Sequence, residues 1–217
     1  MQSGLVNEAE KYINKSLEYD PENLYTELLR AYIPFARNRD LEQTKELLIK
    51  ALNRDSSSYD INKEIGLICY YMRDYESAYT YFNKITEIRN AQNLDIDRGE
   101  NAKIGVVLSE VGLAEESDNY FNDFLDFAEN DNSIYKNLSL AVYYSYKGDT
   151  EKAIDNMKLF SEQDNYPYWY ILFIGIDPLF DNIKDTPEFR KILNDIEVKF
   201  WKRQKKIKAS LEAKNLL

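Results

Sequence analysis

Between residues 61 and 85, "INKEIGLICYYMRDYESAYTYFNKI", apolar and small residues return at Gly66, Cys69, Ala78, Phe82 and Ile85. Those positions lie 0, 3, 12, 16 and 19 residues from Gly66, a spacing that sets one face of each of two consecutive helices inward. The small residues, Gly66 and Ala78, fall where two antiparallel helices approach most closely, because only a missing or short side chain lets the backbones meet. The frame recurs. "NAKIGVVLSEVGLAEESDNYFNDF" places Gly105, Leu108, Ser117, Phe121 and Phe124 at the same offsets. "NLSLAVYYSYKGDTEKAIDNMKLF" does so with Ala141, Tyr144, Ala153, Met157 and Phe160. Tyr32, Phe35, Thr44, Leu48 and Ala51 fit more loosely, and "AEKYINKSLEYDP" supplies only a second helix, with Ala9, Ile13 and Ser16.

The close-contact positions 9, 44, 78, 117 and 153 are separated by 35, 34, 39 and 36 residues, and the polar stretch "NAQNLDIDRGEN" accounts for the longest interval. With this period the chain resembles the tetratricopeptide repeat family, in divergent form, over residues 5–167. The frame divides as a half repeat at 5–21 and repeats at about 25–58, 59–92, 98–131 and 134–167. The resemblance implies an all-α fold, a right-handed superhelical solenoid of antiparallel helix pairs. Asn62, Asn101 and Asn137 stand at the family's tryptophan position, and Tyr32 stands where a small residue is usual. Pro34 should bend or weaken its helix. The first helix lacks a partner in this frame, so Val6, Ile13 and Leu17 are expected to be uncovered, as in a piece of a longer protein or an atypical cap; the first is the favoured expectation.

Residues 168–217 read as an aborted fifth repeat followed by a cap. "YWYILFIG" starts a helix, and Pro178 falls on a core offset and stops it, since the residue before proline is pushed out of the helical region. The chain restarts at "DTPEF", with Thr186 as N-cap and Pro187 at the first helical position. Phe189, Ile192, Leu193, Ile196, Phe200, Ile207 and Leu211 then keep one apolar stripe, suited to covering the open end of a solenoid. The segment "DPLFDNIKDTPEFRKIL" is similar to tails that follow repeat arrays in bacterial regulators of the cyclase or transcription type. That likeness implies a second reading, the regulatory or sensory half of a larger bacterial signalling protein.

Composition narrows the chemistry. The chain has no histidine, which removes histidine acid–base chemistry, serine–histidine and cysteine–histidine nucleophiles and histidine-ligated zinc. One cysteine, Cys69, builds neither a disulfide nor a metal cage and accords with a reducing, cytoplasmic location. There is no glycine-rich phosphate loop, and "DIDRGE" has a misplaced glycine for a calcium loop. No cofactor, metal or catalytic constellation is expected. A net charge of −10 opposes nucleic acid and anionic membrane. The basic run "KFWKRQKKIK" reads as the exposed face of the cap helix. No basic region followed by an apolar stretch opens the chain, so no signal peptide is expected, and no apolar run is long enough to cross a bilayer.

In arrays of the resembled family the first helix of each pair lines a concave groove, which implies a non-enzymatic protein- or peptide-binding scaffold. The corresponding positions here include Arg30, Arg37, Lys63, Tyr70, Tyr71, Lys103, Glu110 and Tyr146, with Glu64, Tyr135 and Ser139 beside them. Four of these, Arg30, Arg37, Lys63 and Lys103, predict a basic strip suited to an acidic peptide, and the tyrosines predict flat contact surface. Ordinary solvated helix positions are the equal alternative.

Overall fold

The computed structural model describes residues 2–217, and every regular element among them is helical. Helices α1 (Val6–Tyr19), α2 (Leu24–Ala31), α3 (Ile33–Asn38) and α4 (Leu41–Leu52) form the N-terminal part. Three long pairs follow: α5 (Tyr59–Tyr71) with α6 (Tyr75–Gln92), α7 (Asn101–Glu110) with α8 (Ala114–Asn130), and α9 (Lys136–Tyr146) with α10 (Thr150–Ser161). The chain ends with α11 (Tyr168–Phe173), short 3₁₀ turns at Ile174–Ile176 and Pro178–Phe180, and α12 (Pro187–Glu212). From α1 to α10 each helix packs on its sequence neighbour, and α10 and α11 both pack on α12.

The turn inside each pair is built the same way. The first helix closes on a residue in the left-handed region, at Arg39, Arg73, Gly112 and Gly148. In three of the four turns an aspartate follows and caps the second helix: Asp40 accepts from Gln43 N (2.9 Å), Asp74 from Ser77 N (3.3 Å) and Asp149 from Lys152 N (3.1 Å). At the helix crossings, Gly66 leaves room for the Phe82 ring, which a Cβ there would meet at 2.6 Å. Gly105 faces Phe121 in the same way, at 2.8 Å. The glycines of the repeat frame are therefore packing sites for one phenylalanine each.

The first pair departs from this plan. Its first helix breaks at Tyr32 into α2 and α3, with Pro34 in the opening turn of α3. Tyr32 packs edge-on against Trp169 (ring centroids 5.2 Å) and donates to the Glu64 carboxylate.

The two ends of the array meet. Tyr168 donates its N–H to Gln2 O (2.8 Å) and its hydroxyl to Ala36 O (3.0 Å). Phe35 of α3 stacks on Phe173 of α11 at 4.6 Å, and Lys208 of α12 lies 3.8 Å from Glu8 of α1. Phe35 and Ala36 thus share one core with Met157, Phe160, Phe189 and Phe200. This corrects the expectation of an uncovered first helix: Leu5 and Ile13 are buried, and Val6 packs against the C-terminal core. The cap helix starts on Thr186, whose hydroxyl accepts from Phe189 N (3.3 Å). Its stripe of Phe189, Ile192, Ile196 and Phe200 is buried, with Leu193 half-buried beside it.

Candidate functional site

The inward faces of the first helices line a half-open cavity of about 690 Å³. Leu28 comes from α2, Glu64 and Tyr71 from α5, Lys103 from α7, Ser139 from α9 and Trp169 from α11, so every pair reaches it. Such placement follows from the repeat: residues two before and five after the close-contact position share the face opposite the second helix. The volume lies in the ordinary range for a ligand site.

The C-terminal segment forms one wall. Asp177 caps the turn at Pro178–Phe180 by accepting from Leu179 N (3.0 Å) and also accepts the Tyr70 hydroxyl (2.5 Å). Arg73 holds Asp181 with two hydrogen bonds, 2.6 and 2.7 Å, and Asn182 Nδ2 donates to Ser145 O (2.8 Å). Phe173 stacks on Tyr71 at 4.3 Å. What would be an open concave surface is therefore partly filled by the chain's own residues 169–182.

This packing revises the expected groove. Tyr70 is fully buried beneath Asp177 and Leu179 and presents no surface to a partner, because the segment after Asp177–Pro178 folds back over it. Tyr71 and Lys103 line the cavity, as do Glu64, Tyr135 and Ser139. Tyr146 stacks on Phe121 at 3.8 Å, Glu110 is exposed, and neither lines the cavity. The basic strip does not exist as a field of free cations. Arg30 pairs with Glu27 (3.2 Å), Arg37 with Glu10 of α1 (2.7 Å), Lys63 with Asp97 (3.1 Å) and Lys103 with Glu100 (2.7 Å). Each cation predicted from the helix face is matched by an acid that only folding brings near, or that sits three residues earlier on the chain.

Burial sets the ionisation of the cavity groups. Glu64 is pushed above the usual carboxylate range by burial, although the Tyr32 hydroxyl donates to it. Burial likewise raises Asp177, against the pull of Lys103 and the Tyr70 hydroxyl. Burial alone would lower Lys103, yet Glu100, Tyr71 and Asp177 around it hold it above the usual lysine value. The phenols of Tyr32 and Tyr71 are raised, first by burial, and stay neutral. Tyr32, Glu100, Trp169, Tyr170, Phe173 and Asp177 were absent from the predicted groove. Tyr32 had a signal, as the misfit at a small-residue position, and "YWYILF" had one as an aromatic run outside the repeat frame.

No group of three or more potential metal-ligating side chains occurs among the described residues, and no helix among them is long and apolar enough to cross a membrane. The basic run lies on α12, where Lys202, Lys205 and Lys206 are exposed beside Trp201.

Comparison with known proteins bears on the fold. The family model "Tetratricopeptide repeat" matches residues 64–92, which span most of α5 and all of α6 and stop well short of the C-terminal segment. No curated protein sequence matches the chain. Among solved structures, the chain is similar to pilF of Pseudomonas aeruginosa, at 19% identity and a TM-score of 0.52, over 96% of this chain and 91% of that one. YrrB, described as a TPR protein with an unusual peptide-binding site, gives 17% identity and a TM-score of 0.47 over 86% and 91%. MamA gives 17% and 0.46 over 72% and 87%. With one repeat matched at residues 64–92 and the same helix-pair plan on either side of it, the chain has an all-α fold like that of tetratricopeptide repeat proteins.

Proposed function

We propose that the chain is a non-enzymatic scaffold that binds protein or peptide through the inner face of its helix pairs. The observation that carries this reading is the cavity itself, since side chains from the first helices of successive pairs all line one half-open space. Its walls combine apolar and aromatic surface with a few fixed polar groups, the make-up of a recognition site rather than of solvated helix faces. Tyr71, Tyr135 and Trp169 supply rigid amphipathic surface of the type enriched where binding energy concentrates. The absence of histidine and the pairing of the lysines with acids leave no nucleophile–base pair to argue for turnover.

The partner's segment is short or enters end-on, because residues 169–182 already occupy part of the concave side. The experiment is selection of binders from a random peptide library, followed by mapping of a selected peptide on the protein by NMR. Perturbation concentrated at Tyr71, Lys103, Tyr135 and Trp169 supports the reading. Peptides that perturb only the outer helices α4, α6, α8 and α10, or no selected peptide at all, overturn it.

A further inference from the structure

The charge inside the cavity points away from an acidic partner. Glu64 and Asp177 both line it, and neither has a lysine or arginine at ion-pair distance among the described residues. The two lysines whose charge reaches them are engaged elsewhere, Lys63 with Asp97 and Lys103 with Glu100. Each carboxylate also keeps one oxygen open. Tyr32 donates to Glu64 Oε2, and no described residue donates to Oε1. Tyr70 and Leu179 N both donate to Asp177 Oδ1, and none donates to Oδ2. Neither open oxygen is among the sealed, unsatisfied polar atoms of the protein, and both residues line the cavity. A partly or fully buried acid with no cation bonded to it is costly unless something supplies one.

The cavity that holds these two acids also has aromatic walls. Trp169, Tyr71, Tyr135 and Tyr170 line the same cavity, and ring faces attract an organic cation while accommodating its apolar stem. A carboxylate and an indole face together recognise an alkylammonium or guanidinium group better than either does alone. The lysine present, Lys103, brings one positive charge that Glu100 already matches, which leaves the wall negative. Outside the cavity, a net charge of −10 draws cationic groups toward the protein and repels acidic ones.

We propose that the cavity receives the cationic side chain of a partner peptide, a lysine or arginine set between Glu64 and Asp177 with its stem along Trp169 and Tyr71. This rests on the peptide-binding reading above and names the chemistry it recognises. The side chain adds the countercharge the cavity lacks and leaves the flanking apolar residues to the aromatic wall.

The test follows Trp169 fluorescence in the full chain carrying Trp201→Phe, so that one indole reports. The probes are N-acetylated, C-amidated tripeptides Phe-Lys-Phe, Phe-norleucine-Phe and Phe-Glu-Phe, together with phenethylammonium. The lysine peptide is expected to shift the signal saturably and to bind about tenfold tighter than the norleucine peptide. Glu64→Gln, which keeps shape and can still accept from Tyr32, should abolish most of that difference. The comparison of lysine with norleucine on the parent protein stands whatever the variant does to folding. Equal binding of these two, or preference for the glutamate peptide, overturns the cation while leaving peptide binding intact. Phenethylammonium binding as tightly as the lysine peptide overturns the peptide as its source. No response to any peptide overturns this inference and the peptide-binding reading together.

Discussion

Two helix pairs, α5–α6 and the broken α2–α3 with α4, occupy equivalent places in the repeat and solve the same packing problem in opposite ways. In the first, Gly66 yields to Phe82, the helices run unbroken, and residues 64–92 match the repeat family. In the second, Tyr32 replaces the small residue, the helix breaks there, and the ring turns inward onto Trp169 and Glu64. A close crossing buys regularity; giving it up lets a core aromatic side chain also form part of the cavity wall. The pair that departs from the repeat also ties the N-terminal part to the C-terminal segment, through Tyr32, Phe35 and Ala36.

The largest effect should come from breaking the regular pair. Phe82→Ala removes a fully buried ring beside Gly66 and is expected to cost about 3–5 kcal/mol in denaturant unfolding, because the hole opens where the helices touch. Gly66→Ala forces a Cβ against the same ring and should cost about 1–3 kcal/mol even after the gain in helix propensity. Combining Gly66→Ala with Phe82→Leu should cost less than the two changes summed, since the smaller side chain vacates the contested space. Additivity would mean that the glycine serves something other than that ring.

A second effect separates array from closure. Tyr70→Phe leaves the ring in place but removes the donor to Asp177, stranding a buried carboxylate with only Leu179 N. A loss of about 1–3 kcal/mol is expected, together with faster amide exchange in residues 177–183 than in α7–α8. Uniform acceleration along the chain would show that closure and array unfold as one unit.

Much of this was legible in the sequence, and the division follows range. Offsets of 3, 12, 16 and 19 from Gly66 are local, so the helix pairs, the Tyr32–Pro34 break, the stop at Pro178 and the Thr186 cap could be read from residues near one another. The meeting of the two ends could not. Tyr168 with Gln2 and Ala36, and Tyr70 with Asp177, join residues about a hundred or more positions apart, and no periodicity encodes them. The groove was misjudged for the same reason. A helix face rich in lysine and arginine looks basic until folding sets Asp97 beside Lys63 and Glu10 beside Arg37.

The cavity and surface carboxylates should also part company with pH. Glu64 and Asp177 are held above their ordinary values, so their contribution is full below the unfolded pKa and is lost as pH rises through the folded one. Asp74 and Asp181 are held low, chiefly by hydrogen bonds from Lys45 and Arg73, and their contribution is lost as pH falls. Glu64→Gln removes one group of the first kind and leaves the second untouched. The Tm of the variant minus that of the parent should therefore grow as pH rises above about 4. A flat difference would show that Glu64 keeps its unfolded-state affinity for protons.

The smallest effect is the ion pair that spans from array to closure. Arg73 and Asp181 are bonded twice but remain substantially exposed, at 43% and 36% of their side-chain surface, so solvent screens most of the attraction. A double-mutant cycle with Arg73→Ala and Asp181→Ala should give a coupling of about 0.5–1 kcal/mol at low salt, shrinking as ionic strength rises. Arg73 also occupies a left-handed turn position, φ 62°, which alanine tolerates no better than arginine, so backbone strain cancels from the single change. Lys45 and Asp74 form the control, a pair at 2.7 Å that joins α4 to the turn before α6 and involves no C-terminal residue. If both couplings are small and equally salt-sensitive, the closure is held by Tyr70, Phe173 and Leu179 rather than by charge. A coupling at Arg73–Asp181 several times that of Lys45–Asp74 would instead make the ion pair a latch, and the aromatic contacts its consequence.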